Sequence, residues 1–138
     1  MTSRMTLVKL LTVTGVVLAV TSTACADDVP SFRKRGDQEK KFASDVCLAV
    51  LKAAHFTGVE PKLDRYEYKN PKAGRTELVM KGTFKGKATG KLYTSDIIVV
   101  IDSSNKDSWE VLRIEYSDNA TVPWSRDKVM ELVKKFNE

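Results

Sequence analysis

The sequence predicts a two-layer α+β domain: an N-terminal helix, a four-stranded antiparallel meander sheet and a C-terminal helix. Three observations carry this. Leu92 to Ile101 is an apolar, β-branched run that suits a pleated central strand better than a helix turn. The runs beside it alternate apolar and polar residues and are divided by short turn signals. Apolar stripes at three- and four-residue spacing stand before and after the strands.

The chain has 138 residues, enough for one domain with one core. Residues 1–26 read as a signal peptide. Arg4 and Lys9 form a positive start, Leu10 to Val20 an uncharged apolar stretch, and Ala24-Cys25-Ala26 the small-residue pattern a signal peptidase accepts after Ala26. That stretch is too short to span a bilayer, which takes about twenty residues. Ser22-Thr23-Ala24-Cys25 offers a rival, a lipoprotein anchored at Cys25. It lacks the usual large aliphatic residue three before the Cys, where Ser22 stands. Cleavage after Ala26 leaves Cys47 alone, so no internal disulfide can form and the core must hold the fold. Cys47 lies in an apolar helical pattern and reads as a buried, inert thiol.

Residues 27–36 read as a flexible linker, broken by Pro30, Ser31 and Gly36 and carrying the basic triplet Arg33-Lys34-Arg35. The domain proper is 37–138. Its first helix runs from Asp37, a good N-cap, to about His55, with Gly58 as a stop. Phe42, Val46, Ala49, Val50 and Ala53 form its stripe, widened by Ala43, Cys47 and Ala54. The first strand is Lys62 to Lys69, ended by the turn Asn70 to Gly74. The second is Thr76 to about Ala88, with Leu78, Met80, Phe84 and Ala88 on one face and Glu77, Lys81, Thr83, Lys85 and Lys87 on the other. Gly82 and Gly86 fall on the apolar face, where a helix can come close. After the central strand, Ser108 to Tyr116 sets Leu112, Ile114 and Tyr116 on one face and Trp109 and Val111 on the other. Pro123-Trp124-Ser125 opens the last helix, whose stripe is Val129, Leu132, Val133 and Phe136. This order of elements, with the Trp109 to Ile114 strand, resembles the cystatin-like and nuclear-transport-factor-like sheets of small envelope proteins. The likeness implies a helix packed across a curved sheet, and no functional residue carries over from it.

The central strand raises a question of cover. Ile98 and Val100 alternate with Ile97, Val99 and Ile101, so both faces are apolar. Either the two helices take opposite faces or a second copy covers one of them, and a monomer is favoured over a homodimer.

Catalytic signals are sparse. His55 is the one histidine, placed at a helix end where a structural role is the usual one. Cysteine and histidine spacing fits no metal site, and no cofactor motif is present. Gly86 to Lys91 lacks the spacing of a phosphate loop, since Lys85 and Leu92 stand where a Gly and a Ser or Thr are required. Charge is the uneven feature. Lys62 to Lys91 holds nine basic and three acidic residues. Arg75, Lys81, Lys85, Lys87 and Lys91 are therefore candidate contacts for an anionic partner, such as an anionic surface or an envelope protein. The competing reading is an exposed edge kept soluble by lysines. Export argues against nucleic acid, and a membrane partner is implied only by lipidation at Cys25. The expectation is a small exported, non-enzymatic binding or assembly protein of the cell envelope. The alternative is a carrier of a small apolar ligand between helix and sheet.

Intact mass of the protein from its native host tests the address. A chain beginning at Asp27 is expected; a lipid-bearing chain beginning at Cys25 would contradict it.

Overall fold

A computed structural model describes residues 29–35, 38–55 and 59–138. The signal peptide with its cut after Ala26, Cys25, and the helix signals Asp37 and Gly58 lie outside the described residues. A single 3-10 turn, Phe32–Lys34, precedes helix α1, Glu39–Ala54. Strands β1 (Val59–Lys72), β2 (Arg75–Gly86), β3 (Leu92–Asp102) and β4 (Glu110–Asp118) follow, then helix α2, Arg126–Phe136. The strands pair antiparallel in sequence order, so the sheet is a plain meander with β2 and β3 at its centre. The α+β two-layer fold read from the sequence is the observed one.

Strand β1 runs further than its alternation suggested, and it carries Pro61 and Pro71. Both are tolerable because β1 is an edge strand, where a missing N–H breaks no ladder. Two bulges set which side chains face inward. In β1, Leu63 pairs with Gly82 and Arg65 with Lys81, leaving Asp64 as the extra residue. The shift in parity turns Tyr66 and Tyr68 to the same face as Leu78 and Met80. In β4, Val100 pairs with Arg113 and Ile101 with Val111, leaving Leu112 extra. Leu112 was expected to share a face with Ile114 and Tyr116; it is instead 41% exposed, and Val111 is buried with them. A strict period of two cannot register an inserted residue, and a slip of one reverses every face beyond it.

Both helices lie on the same face of the sheet. Leu78, Met80, Phe84, Ile97, Val99, Ile101, Val111, Ile114 and Tyr116 form one core with the α1 and α2 stripes. The α1 stripe centres on Cys47, Val50, Leu51 and Ala54, with Ala49 and Ala53 at its margin. Gly82 lets that helix close on β2: a Cβ there would stand 2.9 Å from Cys47 Sγ and 3.0 Å from Leu51 Cδ1. Burial pushes the Cys47 thiol up to about 12, so it stays protonated and unreactive at neutral pH. The two buried polar side chains of the core are satisfied. Thr76 bonds Asn70 Oδ1 at 2.8 Å and Ser103 Oγ at 2.7 Å, and Ser95 bonds the Tyr116 hydroxyl.

The helices do not take opposite faces, contrary to the first of the two expectations. No helix takes the outer face, yet Val100 is only 2% exposed. Its cross-strand neighbours are Glu77 and Arg113, whose aliphatic stems lie on the same face. Val79 and Ile98 are half-buried in the adjoining row, and Lys81 meets Asp96 at 3.6 Å beyond them. Long charged side chains lie along the apolar strip within the one chain.

The connector is not solvated throughout. Phe32 is fully buried, packed edge-on to Phe42 at 4.7 Å and tilted against Phe136 at 5.1 Å. Its carbonyl accepts from the Trp109 N–H, and the Arg35 guanidinium sits 3.7 Å over the Trp109 ring. Phe32 plugs the gap between the two helices, so Phe32→Ala should cost about 3–5 kcal/mol in urea denaturation. A loss below about 1 kcal/mol would show that the segment does not belong to the core.

Candidate functional site

The filled core ends short of one end of the sheet. Past the C-terminus of α1 and the N-terminus of α2, an open cleft of about 760 Å³ lies between the β2–β3 turn and residues 119–125. Its floor is the end of β2 and the start of β3, where Phe84 stacks on Tyr93 at 5.3 Å and 29°. One wall is the end of α1, with Ala54 and His55; the other holds Ala120, Val122, Pro123 and Trp124.

Local chemistry fixes each wall. Gly86 is required where β2 leaves the sheet, since a Cβ would approach Thr89 Oγ1 to 2.8 Å and Tyr93 Cε2 to 3.0 Å. Gly90 adopts φ +68° and turns the chain into β3. On the far side, Asn119 clips the chain to β3: its N–H donates to Thr94 O and its Oδ1 accepts the Thr94 N–H. The Ser125 N–H donates to Ala54 O at 3.0 Å, tying the start of α2 to the end of α1. Trp124 packs edge-on against Tyr116 at 4.8 Å.

Behind these rings lies a buried polar network. The Asp118 side chain is 3% exposed, and its carboxylate accepts three donors. His55 Nε2 stands 2.6 Å from Oδ2, the Tyr116 hydroxyl 2.7 Å from the same oxygen, and the Ala120 N–H 3.1 Å from Oδ1. A buried carboxylate without such donors would be strongly destabilising. Burial, offset in part by Ser95 and reinforced by the Asp118 charge, holds the Tyr116 phenol far above its ordinary range. Tyr116 therefore keeps its proton and gives it to Asp118, which leaves Ser95 as the donor to Tyr116 at 3.2 Å. Because a carboxylate only accepts, the proton between His55 and Asp118 sits on Nε2. The imidazole also lies over Phe84, with centroids 4.3 Å apart.

Of the five candidate cations, four stand toward the β2–β3 turn and Arg75 stands apart at the start of β2. Lys81 is on the outer face against Asp96, and Lys85 is on that face opposite Glu60. Lys87 and Lys91 are exposed in the β2–β3 turn, and of these Lys87 lines the cleft. Arg75 starts β2, roughly 33 Å of extended strand from Lys85. It faces Asp102, whose carboxyl is held below the usual range first by the Ser104 hydroxyl and N–H and then by Arg75. Among the described residues, no group of three or more His, Cys, Asp or Glu could hold a metal ion. No described helix is long and apolar enough to cross a membrane.

His55 was read as a helix-end residue, and Trp124 as part of a helix start. Neither reading placed them in a cleft. The partners of His55 lie 61 and 63 residues away, so no local pattern announces them. No protein family, curated protein or solved structure matches the chain, and the resemblance noted above rests on element order and the Trp109 to Ile114 strand.

Proposed function

We propose that this chain is a small exported, non-enzymatic binding protein that holds a compact, ring-shaped, largely apolar ligand in the cleft. The observation that carries this is an open cavity of about 760 Å³ with aromatic walls, in a molecule whose core is otherwise filled. Pockets that hold small molecules have volumes of about 300–1,000 Å³, apolar walls and a few placed polar groups. Phe84, Tyr93 and Trp124 offer ring faces and edges to a flat guest. Val122 stands 66% exposed at the mouth, where a guest would cover it. The signal-peptide pattern of residues 1–26 supports a place of action outside the cytoplasm.

Titration with N-phenyl-1-naphthylamine, an uncharged dye that brightens in apolar sites, tests the reading. Micromolar binding is expected. Trp124→Ala should weaken it about tenfold, the loss of one aromatic contact. Val122→Glu, at an exposed position that leaves folding intact, should weaken it by a similar factor. No dye binding by the folded protein, or unchanged affinity in Val122→Glu, would contradict the proposal.

A further inference from the structure

His55 lines the cleft and is held in place by the buried network behind it. His55 presents two ring nitrogens, and Nε2 is committed to Asp118 at 2.6 Å. The second, Nδ1, has no partner among the described residues, and it is not among the side-chain atoms buried without one. His55 lines the cleft, so Nδ1 is the ring nitrogen that remains for a guest. Its sense follows from the carboxylate. A carboxylate only accepts, so the shared proton sits on Nε2, and when the ring is neutral Nδ1 is a lone-pair acceptor.

The network holds this state firmly. The Tyr116 hydroxyl and the Ala120 N–H donate to Asp118 from other sides, so the carboxylate cannot turn away without stranding two donors. Packing of the imidazole on Phe84 fixes the ring plane. An acceptor held rigidly at an apolar wall discriminates strongly, because a guest that cannot donate leaves it desolvated and unpaired.

Building on the cleft as a binding site, we propose that its ligand is a flat apolar molecule bearing one hydroxyl or N–H group, which donates to His55 Nδ1. The selected chemistry is that of a neutral phenol or ring alcohol. Hydrocarbons without a donor, ethers and carboxylates of the same shape are disfavoured. His55 acts here as a specificity-determining contact, and Asp118 as the residue that sets its tautomer.

Three probes of one shape test this at pH 8: 2-naphthol, 2-methoxynaphthalene and 2-naphthoate, with affinities measured by calorimetry. 2-Naphthol should bind about tenfold or more tightly than the other two, the contribution of one well-placed hydrogen bond. His55→Phe keeps a ring over Phe84 and removes the acceptor, and it should erase the preference while naphthalene binding persists. Should that variant fail to fold, nitrogen NMR of the native imidazole supplies the second readout. An unprotonated Nδ1 that shifts on adding 2-naphthol is expected. Equal affinity for 2-naphthol and 2-methoxynaphthalene, a preference for 2-naphthoate, or a protonated Nδ1 would overturn the assignment while leaving the cleft as a binding site. Failure of all three probes and of the uncharged dye would instead remove the cleft itself.

Discussion

The helices are shorter than the strands they cover, and the molecule is arranged around that mismatch. At about 1.5 Å per residue, the 16 residues of α1 reach roughly 24 Å and the 11 of α2 roughly 16 Å. The 12 residues of β2 reach roughly 40 Å. Two helices side by side on one face therefore seal only part of it. Phe32 fills the seam between them at one end. At the other end no helix remains, and the chain crosses from β4 to α2 through Asn119 to Ser125. The cleft is what that crossing encloses.

Leaving an end open exposes backbone and buried polar groups to competition from water, and the network around Asp118 answers this. It gathers the end of α1, the interior of β3 and the end of β4 onto one carboxylate and one phenol. The bulge at Leu112 contributes indirectly. It keeps Val111, Ile114 and Tyr116 facing inward over a strand where strict alternation would have sent Val111 out. The structural network and the proposed binding site thus meet in the same residues. The donors that make a buried carboxylate tolerable also fix which nitrogen of His55 is engaged by Asp118.

Much of the fold was legible in the sequence because its strongest signals are local. The β-branched run Ile97 to Ile101, the turns at Asn70 to Gly74 and Thr89-Gly90, and the two helical stripes each depend on neighbours a few residues apart. Gly82 was also readable as a point of close approach, and the helix does close there. What escaped detection was non-local. Bulges at Asp64 and Leu112 exist only in relation to partner strands. Phe32 looks like one apolar residue in a basic linker until three elements converge on it. Arg75 looked like a neighbour of the other basic residues because sequence distance hides the roughly 33 Å of extended strand between it and Lys85.

The candidate site was the least legible part, for the same reason. His55, Phe84, Tyr93, Asp118 and Trp124 come from five different segments, and each has an ordinary structural reading on its own. Together they make an aromatic cleft with a single oriented acceptor. The claim that this end of the sheet is where the protein meets its ligand is tested most directly by amide and aromatic NMR shifts during titration with 2-naphthol. Changes confined to Ala54, His55, Phe84, Tyr93, Ala120 and Trp124 are the expected result. Changes spread over Lys81, Ile98 and Leu112 on the outer face, with the cleft residues unmoved, would contradict it.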